Sequence, residues 1–211
     1  MFDRFIKKLG EELGKKLPGL EAQLSMAPPF RKNIDPRSLP GYDPKVSGVL
    51  ILFYFSERTI KTVFILRPSY DGVHGGQMAF PGGKIEEQDL NFEATALRET
   101  KEEIGIDTAR IKVLGRLTEL YIPPSNFLVH PFVAYADERP NFKVDKTEVE
   151  KTIEVSIGEL LDEKNIGLEK VRSSGSDLLI EVPVFLIQNE VIWGATAMMI
   201  AELNEILKKC L

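Results

Sequence analysis

The 211-residue sequence predicts an α+β fold in which strands outnumber helices. Apolar, β-rich runs recur along the chain, polar or glycine-containing turns separate them, and helical stretches fall between them at irregular intervals. A doubly wound fold would alternate strand and helix regularly, and this chain does not. Hydrophobic residues make up 43% and charged residues 28% of it, the balance of a globular chain with enough apolar side chains for a sizeable core.

The elements follow in order. Phe2, Phe5, Ile6, Leu9, Leu13 and Leu17 recur at helical spacing and predict an amphipathic helix, although Gly10 and Gly14 weaken it in isolation. Its apolar face suits docking on its own domain or on a partner subunit better than contact with a membrane surface, so a homodimer is one expectation. From Ala27 to Asp43 the chain is rich in proline, carries Arg31, Lys32 and Arg37, and reads as an irregular connector. Residues 1–43 are therefore set apart from a domain spanning 44–211. Val46–Phe55 and Thr62–Leu66 flank the polar turn Ser56–Thr59 and predict a hairpin at the centre of a sheet. A glycine-rich stretch and a helix come next, then β-rich runs at Ile111–Leu120 and Phe127–Ala136. Ser156 and Glu159 have the spacing of a capping box for a short helix through Leu161. Leu178–Ile187 and Val191–Trp193 predict a last hairpin, and Ala195–Lys208 a closing helix.

Charge and cysteine usage narrow the function classes. The net charge is -5 and no basic block interrupts the body of the chain, which argues against nucleic acid as a partner. Cys210 alone cannot build a disulfide framework. No apolar run approaches the ~20 residues of a membrane span. Asp3, Arg4, Lys7 and Lys8 interrupt any signal-peptide core, and the ending Lys209-Cys210-Leu211 is no peroxisomal address. A cytoplasmic location without membrane attachment is the expectation.

The chemistry concentrates between Gly82 and Ile106. Asp89 or Asn91 can cap a helix beginning near Phe92, and Gly105 can end it. Helical spacing puts Ala94, Leu97 and Ile104 on one face and Glu99, Glu102 and Glu103 on the opposite one. Clustered carboxylates repel each other, and a hard divalent cation such as Mg²⁺ or Mn²⁺ reverses that sign. The competing reading is a solvated acidic face. The preceding Phe80-Pro81-Gly82-Gly83 follows a strand-like Gln77-Met78-Ala79 and lets backbone approach a ligand without side-chain obstruction.

Arg98, Glu99, Glu102, Glu103, Gly105 and Ile106 match the core of the Nudix hydrolase signature, which this segment resembles. The resemblance implies an α/β/α sandwich with a mixed central sheet, the signature loop-helix-loop, and here an N-terminal helical extension. It also implies metal-assisted attack of water on a diphosphate linked to a nucleoside. Glu99, Glu102 and Glu103 would then be metal ligands with the Gly83 carbonyl, and Arg98 would orient the acids by salt bridges. One departure stands out: the family's acid eight residues before the arginine is replaced by Leu90, with Asp89 one place earlier.

Residues outside the signature resemble the coenzyme A diphosphatase branch. They are Arg67, His74, Gly76, Gln77 and Phe80, then Ile122–Ser125, Val129–Phe132 and Ile192–Ala197. That likeness implies coenzyme A or acyl-CoA as substrate, with Arg67, His74, Gln77 and Phe80 near it. The branch's serine and Leu-Arg pair are absent, since Pro68, Asp71 and Gly72 occupy those places. ADP-ribose, a dinucleotide or a nucleoside triphosphate are alternative substrates. Non-catalytic binding of a nucleotide derivative is an alternative class that the intact acids disfavour. Glu148 resembles a late-loop glutamate placed near the metals, as general base or further ligand, its other reading being a solvated acid. Cys210 lies in the tail and no G-x-S-x-G is present, so no covalent nucleophile is expected. His130 is expected to be structural and Trp193 to be core, and the acids Glu86, Glu87 and Asp89 to form a solvated loop, its other reading being a distal metal ligand.

Overall fold

A computed structural model describes residues 1–31, 42–69, 75–172 and 178–211. The expectations for Lys32, Arg37, Asp71, Gly72 and His74 lie outside the described residues. Among the described residues, eight strands form one mixed sheet and three more form a small antiparallel one.

The predicted hairpin is β1 (Lys45–Ser56) and β2 (Thr59–Leu66), paired antiparallel from Phe53–Thr62 to Ser56–Thr59. Its turn residues Glu57 and Arg58 both have positive φ, 51° and 66°, the geometry whose twist matches that of the flanking strands. Two short strands, β3 (Met78–Ala79) and β4 (Gly82–Lys84), pair with β2 and β1 respectively. Helix α3 (Phe92–Ile104) follows. Beyond it come β5 (Ile111–Arg116), β6 (Leu120–Ile122) and β7 (Phe127–Ala136), the last running parallel to β1. Strand β8 (Lys151–Ser156) pairs with β2 and leads into α4 (Ile157–Leu161), which the capping box of Ser156 and Glu159 opens.

Why β1 reads as a continuous apolar run is visible in its two faces. Leu50, Leu52 and Tyr54 join the cluster with Ala96 and Ile104 of α3, whereas Ile51 and Phe53 join the opposite cluster. Successive strand residues point to opposite faces, so a strand covered on both sides loses polar alternation. The second cover is α1 (Phe2–Leu13) with α5 (Gly194–Cys210), giving a helix–sheet–helix sandwich of α+β class.

The N-terminal helix docks on its own domain: Phe5, Ile6, Leu9 and Leu13 are buried in the same cluster as α5. It is shorter than the periodic pattern through Leu17, because Gly14 caps it and Pro18 leads into a separate helix, α2 (Gly19–Leu24). The final hairpin, β10 (Leu179–Ile187) and β11 (Glu190–Ile192), is present as predicted. It carries an unpredicted partner, β9 (Ile166–Arg172), which completes the small sheet. The charged and mostly exposed sequence Ile166–Arg172 lacks the apolar run that marks a strand, and its pairing with β10 supplies what propensity does not. No helix among the described residues is long and apolar enough to cross a membrane.

Candidate active site

Helix α3 starts where Asn91 Oδ1 accepts the Ala94 N–H at 2.8 Å and stops at Gly105, left-handed with φ 66°. Its buried face differs from the expected one. Thr95, Ala96, Thr100, Glu103 and Ile104 are buried, while Ala94 and Leu97 are half-buried. The small residues turn inward because α3 crosses β1 at Gly48, where a Cβ would strike the Phe92 carbonyl and crowd Ala96. Glu103 is consequently not on a solvated face at all: it is 2% exposed.

A local bond explains why a carboxylate tolerates that position. The Gly82 N–H donates to Glu103 Oε2 at 2.8 Å. Gly82 holds φ 150° and lies so near Gly48 and Val49 that a Cβ would not fit, so the turn requires glycine there. Burial pushes the Glu103 carboxyl up to about 7, against the pull of Arg67 and the Gly82 N–H, with Glu99 and Glu148 adding to the rise. Glu99 is also raised, first by burial. It packs against Gly83 so closely that a Cβ on that glycine would collide with the Glu99 carboxylate.

Arg98 binds the acids and the preceding loop together. Its Nε and Nη2 form a two-pronged pair with the Asp89 carboxylate, both at 2.9 Å, and Nη2 also donates to the Lys84 carbonyl at 3.0 Å. Nη1 reaches Glu102 at 2.8 Å and Glu99 at 3.0 Å. The hydrogen bonds from Arg98 hold the Asp89 carboxyl far below the usual carboxylate range. Asp89 is therefore not a solvated loop acid: it pairs with Arg98, a role the sequence does not predict for it. Its signal in the sequence was the displaced acid beside Leu90.

Arg67 stands over the same turn, donating to the Gly82 carbonyl at 3.3 Å with Nη2 3.8 Å from Glu103 Oε1. The loop bearing Glu148 is pinned to the end of α3, since the Lys143 and Asp145 N–H groups donate to the Ile104 and Glu103 carbonyls at 2.8 and 3.0 Å. Glu148 itself is exposed and faces the acids across a cavity of about 660 Å³. Glu99, Glu103, Gly83, Arg67, Gln77 and Phe80 line that cavity, so most of the expected site residues share one space. Glu102 is not among its lining residues and is half exposed, tied to Arg98. His74 lies outside the described residues. Phe80 is almost fully buried and stacks on Phe64 at 4.5 Å, so it also supports the wall from behind.

Trp193 departs from expectation. It is half-buried and forms part of the cavity wall at the start of α5, instead of filling the core. His130 is buried and stacks on Phe92 at 4.2 Å, a structural role that anchors the first turn of α3 to β7.

The donor set is one of hard oxygens, suited to a divalent cation. Burial first raises the proton affinity of Glu99 and Glu103, the Glu148 charge adds to both, and a cation in that space would remove the repulsion. Among the described residues no three acids stand already gathered as a ligand set, because Arg98 engages Glu99 and Glu102.

The NUDIX domain family matches residues 44–173. The uncharacterized Nudix hydrolase NudL of Photorhabdus laumondii is 35% identical over 132 residues, which cover 63% of this chain and 69% of that protein. A mitochondrial coenzyme A diphosphatase of Mus musculus is 32% identical over 161 residues, 73% of this chain and 74% of that protein. Among solved structures, a MutT/nudix family protein from Enterococcus faecalis covers 92% of this chain and 76% of its own, with a TM-score of 0.52 at 17% identity. The Nudix hydrolase RenU from M. Smegmatis covers 81% and 89%, with a TM-score of 0.51 at 15% identity. At such identities the structural likeness speaks for the fold alone.

Proposed function

This chain belongs to the Nudix hydrolase family, whose members act on diphosphate bonds, and we propose that its substrate is coenzyme A or an acyl-CoA. The products would be 3′,5′-ADP and (acyl-)4′-phosphopantetheine, and the reaction would need Mg²⁺ or Mn²⁺.

The observation that carries this reading is the continuous cavity of about 660 Å³ joining the acids of α3 to a wall of Trp193, Phe127 and Met199. Its volume is that of a small-molecule site, and it offers an anionic end for a metal-borne diphosphate and an apolar remainder for the rest of the molecule. The similarity to the mouse coenzyme A diphosphatase and the segments around Arg67, Gln77 and Ile122–Ser125 favour coenzyme A among nucleotide derivatives.

Glu99, Glu103 and the Gly83 carbonyl would hold the cation, and Glu102 would join them by exchanging its bond to Arg98. When bound, divalent ions neutralise charge on the diphosphate and on the leaving oxygen. Arg98 keeps the acids in register through Asp89 and Lys84. Arg67 would donate to a diphosphate oxygen, with His74 and Gln77 as further substrate contacts. Glu148, at the cavity rim, would take the proton from the attacking water.

Incubation with Mg²⁺ or Mn²⁺ and a panel of coenzyme A, acetyl-CoA, ADP-ribose, a dinucleotide and a nucleoside triphosphate tests the proposal by chromatography of the products. Release of 3′,5′-ADP from coenzyme A is the expected outcome. Efficient cleavage of ADP-ribose with coenzyme A untouched would refute the substrate assignment while leaving the hydrolase in place.

A further inference from the structure

The cavity holds a second polar feature set apart from the acids of α3. Pro28 and Arg31 line it from the N-terminal side, brought there by α2 and a 3-10 turn over Pro29–Arg31. That segment is fixed to the domain, because the buried Glu202 of α5 accepts from the Gly19 N–H at 3.0 Å and from Gln23 Nε2 at 2.8 Å. Burial lowers the Arg31 guanidinium to about 10, against an opposing pull from Tyr121. Among the described residues, no hydrogen bond or ion pair satisfies this guanidinium.

Ser125, in the turn Pro123–Ser125 beyond β6, lines the same cavity. Its Oγ is buried without a hydrogen-bond partner among the described residues. A half-buried cation and a buried hydroxyl, both without an acceptor among the described residues, are costly to maintain unless a ligand completes them. A phosphomonoester does so with negative charge and three acceptor oxygens.

We propose that Arg31 and Ser125 form a subsite for a phosphomonoester on the nucleoside half of the substrate, distinct from the diphosphate that is cut. The inference rests on the diphosphatase reading above and gives it a selector: the N-terminal extension distinguishes coenzyme A from dephospho-CoA, which shares its diphosphate but lacks the 3′-phosphate.

Two measurements test it. Calorimetry in the absence of metal compares 3′,5′-ADP with 5′-AMP, and kinetics with Mg²⁺ compare coenzyme A with dephospho-CoA. The wild-type protein should favour the phosphorylated member of each pair by at least about tenfold, the scale of a charge-assisted bond. Arg31→Gln should bring both preferences close to unity, with the kinetic loss in KM instead of kcat, and circular dichroism confirming the fold. Ser125→Ala should reduce the preference in part, and Arg31→Lys should retain part of it.

The subsite is refuted if the wild type shows no preference, if Arg31→Gln keeps it, or if both members of each pair weaken equally. An equal loss would mean that Arg31 serves the fold or the diphosphate. Preferential, Arg31-dependent binding of 3′,5′-ADP with coenzyme A left intact would uphold the subsite and overturn the substrate reading. Coenzyme A cleavage without Arg31-dependent preference would do the reverse.

Discussion

Arg98 and Asp89 show how a shifted residue keeps a site intact. Leu90 stands where the family signature places an acid, and it is 93% exposed. Asp89 meets both prongs of Arg98 instead, while accepting from the Glu86 N–H at 3.0 Å and from Thr95 Oγ1 at 2.9 Å. The acid stands one position before Leu90, and the loop's own hydrogen bonds turn it inward. Asp89→Asn should therefore lower stability by about 2–3 kcal/mol, somewhat under the ~3–5 of a fully buried pair because Arg98 is partly exposed. Leu90→Glu should stay within about 0.5 kcal/mol of wild type, as an exposed substitution does. Urea denaturation of both variants decides the matter, and a larger effect at Leu90 than at Asp89 would reverse the assignment.

At the level of elements, the N-terminal extension is held by a polar latch as well as by apolar packing. Glu202 accepts from Gly19, from Gln23 and from Thr118, whose Oγ1 is 2.7 Å away. This single carboxylate ties α2, the loop before β6 and α5 together, with no cation needed because several N–H and O–H donors converge on it. Glu202→Ala would strip those buried donors of their acceptor and should cost about 2–4 kcal/mol. It should also loosen residues 1–31 selectively. Hydrogen exchange reads this directly: faster exchange in α1 and α2, with the amides of β1 and β7 unchanged up to global unfolding. Uniform acceleration across the molecule would show that the extension has no independent stability.

For the molecule as a whole, the same two-sided sheet that gives stability also buries a carboxylate. The Glu103 carboxyl is raised to about 7 in the folded chain. A group whose folded value lies above its unfolded one favours the folded state while protonated, so its contribution is full below about 4.5 and fades as pH rises through about 7. Metal-free protein should thus melt at progressively lower temperature between about pH 5 and 8, and Glu103→Gln should flatten that slope while abolishing most turnover. Added Mg²⁺ or Mn²⁺ should restore the wild-type melting temperature at the upper end and leave the variant unmoved, because ligand binding to the folded state alone stabilises it. Differential scanning calorimetry across that pH range, with and without metal, supplies the comparison. A wild-type profile parallel to that of the variant would remove Glu103 from the ionisable site.

Local chemistry determined a good part of this protein by itself. Most apolar runs, the turn at Ser56–Thr59, the capping box at Ser156 and the cap and stop of α3 are written in neighbouring residues and form in the structure, although the run Ile111–Leu120 breaks into β5 and β6. The spacing of Glu99, Glu102 and Glu103 likewise announced an acidic helix beside a glycine turn. Only tertiary structure decided which way that helix faces, because its rotation depends on the gap at Gly48 and the Gly82 N–H, both distant in sequence. The same holds for β9, whose strand character comes from β10, and for Trp193 and Arg31, which reach the cavity through packing of α5 and α2. A periodic pattern records which residues share an element; what that element meets is fixed by contacts between segments far apart in the chain, and the cavity is made of those contacts.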